Sequence, residues 1–188
     1  MTLQDYKPYA YLGVLAVLSA WLADLAQLGQ SYQTVVPAHS PDYFSEGYSK
    51  WEMDTLGVLK NSLMSTQLTH YSDDGVTQLV NPVMFFYNKK SPPWVVKSAA
   101  GVLSGDGKQL LLTDKVAIVR EKAQGVQPLT INTSVLTVYP ETHYAETRAS
   151  AELVSPPNRT TGVGMTLTFA QPVHLQLLAH VKGKYETK

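Results

Sequence analysis

The feature that most constrains this chain is a charge-poor stretch near its N-terminus. Between residues 8 and 45 the ionisable side chains, tyrosines apart, are Asp24, His39 and Asp42. Within this stretch, residues 9–28 read YAYLGVLAVLSAWLADLAQL, which is predominantly apolar. A helix of about 20 residues rises about 30 Å, the thickness of the hydrocarbon core of a bilayer. The sequence therefore predicts a transmembrane helix over residues 9–28.

Three other interpretations of this segment compete: a cleaved signal peptide, a buried core helix and a helix lying on a membrane surface. A signal peptide needs small residues at the first and third positions before its cut. Cleavage after Ala23 or Ala26 would place Trp21 or Asp24 at the third position. A surface helix needs a polar face rich in Lys or Arg, which the segment lacks. A retained anchor is therefore favoured, with Asp24 one turn from the helix end, where it can reach the interface.

Two further patterns predict the orientation and packing of this helix. Lys7 is the nearest cation, and no lysine or arginine follows before Lys50. Because cytoplasmic flanks carry the excess of positive charge, residues 1–8 are expected in the cytoplasm and the rest of the chain outside it. Small residues at near-helical spacing would allow close packing on other transmembrane helices. These residues are Gly13, Ala16, Ser19, Ala20 and Ala23.

After the helix the sequence pattern changes. Residues 29–45 are polar, contain two prolines and show no sustained periodicity, so we predict a tether. Over residues 46–188, short β-type runs alternate with turn signals, which indicates an all-β domain of the sandwich or roll type. The predicted turns are Asp73-Asp74-Gly75, residues 88–93, Gly105-Asp106-Gly107 and Ser155-Pro156-Pro157-Asn158.

The clearest predicted strand covers residues 109–120, QLLLTDKVAIVR. Alternation along an extended chain gives this strand one apolar face, and Asp114 interrupts the series. The residues of that face are Leu110, Leu112, Val116 and Ile118. The same alternation predicts strands over residues 94–98 and 129–138.

Composition and motifs indicate no catalytic site. With 15 Lys+Arg against 15 Asp+Glu in 188 residues, the chain lacks the basic excess that nucleic-acid binding requires. It has no cysteine, which excludes thiolate zinc sites and cysteine nucleophiles. The glycines at 101, 105 and 107 lack the spacing of a phosphate loop, and no Gly-x-Ser-x-Gly motif occurs. We predict no enzyme, cofactor, metal or nucleic-acid partner, although a catalytic triad assembled only by the fold stays open.

Several short motifs occur in an order and spacing that resemble the LptC family of lipopolysaccharide-export proteins. The first group is Gly57-x-Leu59, Leu63, His70-Tyr71-Ser72-Asp73, Asn81-Pro82-Val83, Trp94-x-Val96, Gly101-x-Leu103-Ser104-x-Asp106-Gly107 and Leu110-x-Leu112. The second group is Val116-x-Ile118-x-Arg120, Ile131-x-Thr133-x-x-Leu136-x-Val138-x-Pro140, Ala145-x-Thr147 and Gly162-x-Gly164-Met165. With the predicted helix, these motifs cover nearly all of residues 41–186. The chain departs from simple family examples at Asp24 and at residues 155–157, where the family often has a more strand-like segment.

The resemblance implies a fold, a location and a set of partners. It implies an inner-membrane protein with one N-terminal transmembrane helix, followed by a periplasmic, open V-shaped β-jellyroll of the OstA-like type. Family members take lipopolysaccharide from the ATP-binding-cassette transporter of the Lpt system, built from LptF, LptG and LptB, and pass it to LptA. ATP hydrolysis belongs to the transporter, so no cofactor is implied for this chain.

A lipopolysaccharide cargo would need an apolar lining for its acyl chains, supplied by the inward faces of the strands. We predict that this lining consists of Leu59, Leu63, Leu79, Met84, Phe86, Trp94, Val96, Leu103, Leu110, Leu112, Val116, Ile118, Leu136, Val138, Met165 and Leu167. The inward alternation extends this set to Leu175 and Leu177. Each of these residues could equally be a structural core residue.

Unpaired strand edges at the two ends of such a roll can bind another chain by β-augmentation. We predict that the first strands, near residues 43–51, contact the transporter, and that the last strands, over residues 173–185, contact LptA. The predicted interface residues are Tyr43, Tyr48 and Trp51 at the first edge and Leu175, Leu177 and Tyr185 at the last edge.

Two alternatives of different classes stay open. An anchored periplasmic scaffold or assembly factor would have a filled interior, whereas a lipid carrier would have an apolar slot of acyl-chain width. A carbohydrate-active enzyme on a jellyroll would need paired carboxylates facing inward, and few acidic residues occupy inward positions.

Overall fold

The computed structural model describes residues 7–28, 39–88 and 91–185. The chain divides into two compact units, residues 1–38 and residues 39–188. The predicted tether is outside the described residues from 29 to 38, and so are residues 1–6 of the predicted cytoplasmic N-terminus.

The first unit contains one helix, α1, over Lys7–Leu28. Pro8 lies in its first turn, where the missing N–H has no partner within the helix in any case. The predicted packing residues Gly13, Ala16, Ala20 and Ala23 are exposed. No helix within the described ranges has both the length and the apolar character needed to cross a membrane. The predicted helix is thus confirmed as a helix, and its membrane-spanning role is not confirmed.

The second unit is an antiparallel sheet of eleven strands. Their bounds are β1 (Pro41–Met53), β2 (Leu59–Tyr71), β3 (Thr77–Val80), β4 (Val83–Asn88), β5 (Ser91–Lys97), β6 (Ala100–Leu103), β7 (Leu110–Arg120), β8 (Leu129–Tyr139), β9 (Tyr144–Ser155), β10 (Asn158–Thr168) and β11 (His174–Lys184). The all-β prediction is therefore confirmed for the part of the chain that these strands cover. The β-structure begins at Pro41, so the predicted boundary between tether and β-domain falls inside β1. Residues 41–44 are exposed on both faces of β1, so no alternation of apolar and polar residues marks them as a strand.

Most predicted turns connect consecutive strands. Gly75 and Gly107 adopt positive φ angles of 69° and 71° in the loops that follow β2 and β6, a conformation that glycine takes without steric cost. Pro156 and Pro157 form the short connection between β9 and β10. The departure from the family pattern at residues 155–157 is therefore a hairpin turn between two long strands.

The short strands combine into long, kinked ones. β3 and β4 both pair with β2, along its second and first parts respectively, while β5 and β6 both pair with β7. When β3 with β4, and β5 with β6, are each taken as one kinked strand, the chain runs as an antiparallel meander from β1 to β11. β1 and β11 form the two ends of the sheet.

The pairing between neighbouring strands is interrupted at corresponding positions across the whole sheet. We call this row of positions the kink line. It passes through residues 47, 65–66, 81–82, 98–99, 114–115, 134, 148–149, 164 and 180. Six residues on this line have positive φ angles: Gly47, Asn81, Asp114, Lys115, Gly164 and His180. Bulges with such backbone angles bend a sheet. The kink line thus divides the sheet into a β4 half, which contains β4 and β5, and a β3 half, which contains β3 and β6.

The inward faces of the two halves enclose one apolar core. The core draws on both sides of the kink line: Phe86 and Trp94 lie in the β4 half, whereas Leu79 and Leu112 lie in the β3 half. Asp114 and Lys115 are two extra residues in β7 at the kink line. Because two residues are inserted, the alternation of faces is preserved, and Leu112 and Val116 face the same interior. The strand prediction for residues 109–120, with its break at Asp114, is confirmed.

Candidate functional site

The predicted lipid lining is the packed core of the sheet. Of its sixteen residues, all except Leu59 and Leu103 are at most 5% exposed, and those two are half-buried. Side chains from the facing halves fill most of the interior, and a small cavity of about 190 Å³ is lined in part by Leu63, Met84, Leu103 and Leu110. Whether these residues contact lipid stays a prediction, because burial alone fits a structural core equally well.

Sequence alternation missed several core residues, above all Leu68, Ile131 and Phe169. In β8 the inward positions change from odd to even numbers, since Ile131 and Leu136 are both buried on either side of an irregularity between residues 133 and 137. Phe169 follows the last residue of β10, so it belongs to no alternating run. A charged residue or a glycine inside an apolar run is the sequence signal of such an irregularity. Residues 133–137 of β8 contain neither.

Four aromatic rings connect the two halves at the ends that lie farthest from the kink line. Phe86 of β4 stacks on Phe169 with a distance of 4.3 Å between ring centroids. The ring of Trp94 meets Phe169 edge to face at 5.8 Å, and His143 meets Phe86 in the same way at 5.3 Å. In the sheet, β5, β7, β8 and β9 separate β4 from β10, so these contacts exist only because the sheet folds over. We call Phe86, Trp94, His143 and Phe169 the aromatic seam.

Few polar contacts accompany the aromatic seam. The Lys60 Nζ donates to the backbone oxygen of Glu141 at 3.2 Å, and the Asn88 side-chain amide donates to the backbone oxygen of Phe169 at 3.3 Å. The backbone N–H of Phe169 donates to the oxygen of His143 at 2.8 Å, which fixes the position of Phe169 against the turn after β8. The two halves are therefore joined at this end by side chains and not by a strand ladder.

A cavity of about 500 Å³ lies on the outer side of the aromatic seam. Its lining combines polar and apolar groups: Asp54, Val58, Leu59, Lys60, Tyr87, Asn88 and His143. Burial, together with the charge of Lys60, lowers the pKa of His143, and the carboxylate of Glu52 partly opposes this effect. His143 thus lies between this mixed cavity and the apolar core, and the lowered pKa favours its neutral form.

A second cavity, of about 560 Å³, lies near the kink line between β8 and β11. Glu146, Arg148 and Thr166 contribute polar groups to its lining, and Val135 and Leu178 contribute apolar ones. It therefore does not have the apolar lining that an acyl chain requires.

The two predicted interface edges are the terminal strands of the sheet. On β1, Tyr43 and Trp51 are more than half exposed, while Tyr48 packs against the core. On β11, Leu175 and Leu177 also pack against the core, so the outward apolar side chains are instead Leu178 and Val181, together with Tyr185 beyond the strand end. The inward direction that alternation predicts for Leu175 and Leu177 is therefore confirmed, while their role at a partner edge stays a prediction.

His39, Asp73 and Asp74 cluster at the turn after β2. The Nδ1 of His39 lies 3.1 Å from Asp73 and 3.9 Å from Asp74, and all three side chains are exposed. The ring of His39 stacks on Tyr71 at 4.2 Å. These contacts join the segment before β1 to the β2–β3 turn, in line with the predicted turn at residues 73–75.

A folded antiparallel sheet with an apolar interior and two terminal edges defines the class of this unit as an all-β domain. Comparison with known proteins identifies the family. A family described as lipopolysaccharide-assembly, LptC-related, matches residues 10–186, so the chain belongs to the LptC family.

Two relatives share 31% identity with this chain over 93 residues, which are 49% of this chain and 49% of each relative. They are the lipopolysaccharide export system proteins LptC of Escherichia coli strain K12 and of Shigella flexneri. The match thus spans about half the length of these relatives. A crystal structure of LptH from Pseudomonas aeruginosa, an LptA-homologous periplasmic component of a lipopolysaccharide transport device, superimposes with a TM-score of 0.48 at 7% identity. That superposition covers 77% of this chain and 94% of LptH.

Proposed function

We propose that this chain transports lipopolysaccharide away from the inner membrane by covering its acyl chains inside the folded sheet. The observation that carries this proposal is the continuous apolar interior that runs from strand to strand between the terminal edges, in a member of the LptC family. Acyl chains in water are strongly unfavourable, so a carrier must replace water with apolar side chains. The charged head group needs no such cover and stays in water.

The neutral charge balance of the chain agrees with a carrier that covers the acyl chains and leaves the charged head group in water. With 15 cationic and 15 anionic side chains, the protein has no excess of positive charge to neutralise an anionic lipid. Its contribution to binding is therefore apolar, and the lining predicted from the sequence supplies it. No chemical step is proposed for this chain, since the energy for lipid movement would come from ATP hydrolysis in the transporter.

Partner binding is proposed at the two terminal strands. The β1 edge, with Tyr43 and Trp51 exposed, would contact the periplasmic part of the transporter subunits LptF and LptG. The β11 edge would extend into LptA by β-augmentation, which needs free backbone groups more than particular side chains. A charge at Leu177 should prevent capture of LptA and leave transporter binding intact. Loss of both, or of neither, would contradict this assignment of the edges.

The helix α1 is proposed as a single-pass anchor in the inner membrane, with residues 1–8 in the cytoplasm and the β-domain in the periplasm. Its exposed small residues Gly13, Ala16, Ala20 and Ala23 would pack against helices of the transporter. Such contacts would allow α1 to influence how ATP hydrolysis is coupled to lipid movement.

A second candidate function is a membrane-anchored scaffold without lipid cargo. The closed interior favours it, because Phe86, Trp94 and Leu136 are fully buried. One experiment separates the two functions: purify the full chain in detergent together with the LptB, LptF and LptG transporter, and measure binding of lipopolysaccharide. A carrier retains bound lipopolysaccharide after the transporter is removed, whereas a scaffold co-isolates with the transporter and retains none.

A further inference from the structure

A carrier whose interior is filled must open before it can accept an acyl chain. Strand ladders join every pair of neighbouring strands in the sheet, and parting them would break backbone hydrogen bonds. Among the described residues, the ends of the β4 half and the β3 half that lie farthest from the kink line meet through side chains, with no strand ladder between them. This meeting place is the aromatic seam of Phe86, Trp94, His143 and Phe169.

The aromatic seam contains buried polar atoms that bond to nothing in its closed form. Within the described residues, Nε1 of Trp94 and Nε2 of His143 are buried and have no hydrogen-bond partner. Buried polar groups are nearly always paired, because burial without a partner costs free energy. Two such atoms in one seam make its closed form less favourable than the same packing in an ordinary core.

The surroundings of the aromatic seam suit an amphiphile. On its inner side Phe86 and Trp94 continue into the apolar core. On its outer side, four polar groups line the cavity of about 500 Å³: the carboxylate of Asp54, the ammonium of Lys60, which lies 3.6 Å from Glu52, the amide of Asn88 and the imidazole of His143. The inner side of the aromatic seam therefore suits the apolar chain of such a molecule, and the outer side suits its polar head.

We propose that the aromatic seam is the place where an acyl chain passes into the interior, by separation of the β4 half from the β3 half about the kink line. The polar head of the amphiphile then stays in water on the outer side, at the mouth of the cavity lined by Lys60, Asn88 and His143. This inference rests on the proposed function, because it assumes an acylated cargo.

The test uses the absence of natural cysteines, which makes any introduced pair unique. In the full chain, Lys60→Cys and Glu141→Cys place two thiols across the aromatic seam, since these residues are joined there by the Lys60 hydrogen bond. A flexible, thiol-cleavable bis-maleimide then ties the two halves together. The control pair, Asn132→Cys and Glu152→Cys, joins register partners of β8 and β9 within one half.

The measurement is binding of fluorescently labelled lipopolysaccharide before crosslinking, after it and after cleavage of the linker. Relative to the same variant before crosslinking, which also lacks the Lys60 ammonium, the seam crosslink is expected to weaken apparent affinity about tenfold or more, because it removes the open population that binds. Cleavage should restore binding, and the control crosslink should leave it unchanged. Equal binding by both crosslinked proteins would overturn the seam proposal alone. Absence of binding by every form, including the unmodified chain, would overturn the proposed function and the seam proposal with it.

Discussion

The two halves of the β-domain meet along two boundaries that are built in different ways. At the kink line the chain itself crosses from one half to the other, and irregular backbone hydrogen bonds accompany it, such as that from Asn81 N–H to the oxygen of Ala99 at 2.8 Å. At the aromatic seam no strand crosses, and rings such as Phe86 and Phe169 provide the contact. A boundary that the backbone crosses can bend but cannot separate. A boundary held only by side-chain contacts can also separate. The difference predicts a hinge at the kink line and an opening at the aromatic seam.

The largest expected effect comes from removing a ring of the aromatic seam. Phe86→Ala deletes a fully buried side chain that stacks on Phe169, so the free energy of unfolding should fall by about 3–5 kcal/mol. The matched control is Phe85→Ala, next to it on the opposite, half-exposed face of β4, where the expected loss is roughly 1 kcal/mol or less. Urea denaturation of both variants checks this. Equal losses would mean that the ring contact contributes no more than an outward phenylalanine does.

A smaller effect is expected at the kink line. Gly164 has a φ of +74°, and a Cβ there would lie 3.0 Å from Cδ1 and 3.2 Å from Cβ of Leu178, so β11 must shift by a few tenths of an ångström. Gly164→Ala should therefore cost about 1–2 kcal/mol, mainly the strain of a positive φ, and should leave the pairing of β10 intact. Thr166→Ala on the same strand serves as control. If Gly164→Ala lowered the free energy of unfolding as much as Phe86→Ala, the kink line would be as sensitive to substitution as the core.

The smallest effect concerns pH and acts on the aromatic seam only. Burial lowers the pKa of His143, with Lys60 adding to this effect and Glu52 opposing it, while Asp54 lines the same cavity. A histidine whose folded-state pKa lies below its unfolded value contributes stability that is present above about pH 6.5 and is lost as pH falls. Lowering the pH from about 7 to about 5 should therefore destabilise the protein more than the His143→Gln variant. Equal losses in the two proteins would rule out this role of His143.

The parts of the fold that sequence could predict are those set by local alternation. The face of Leu110, Leu112, Val116 and Ile118 is buried as predicted, because the two-residue bulge at Asp114 and Lys115 keeps the period of two. A charged residue inside an apolar run announces such a break. The same logic located the turns that contain Gly75 and Gly107.

The parts that sequence could not predict depend on contacts between distant segments. Phe86 and Phe169 pair only after the sheet folds about the kink line, and no local pattern links them. The burial of both Ile131 and Leu136 likewise depends on an irregularity between residues 133 and 137 in the pairing of β8 with β9. The family resemblance was predicted correctly because it relies on the order of many short motifs and needs no knowledge of these contacts.

The central claim is that the interior of the folded sheet carries acyl chains during transport. A photoreactive amino acid at Phe86 or Leu136, both fully buried, would test this in membranes containing the transporter and lipopolysaccharide. Outward control positions are Phe85 and Val135, the neighbours of these residues on the same strands. Crosslinks to lipopolysaccharide are expected at the two inward positions only, and only while the transporter hydrolyses ATP. Crosslinking that is independent of ATP, or equal at inward and outward positions, would contradict it.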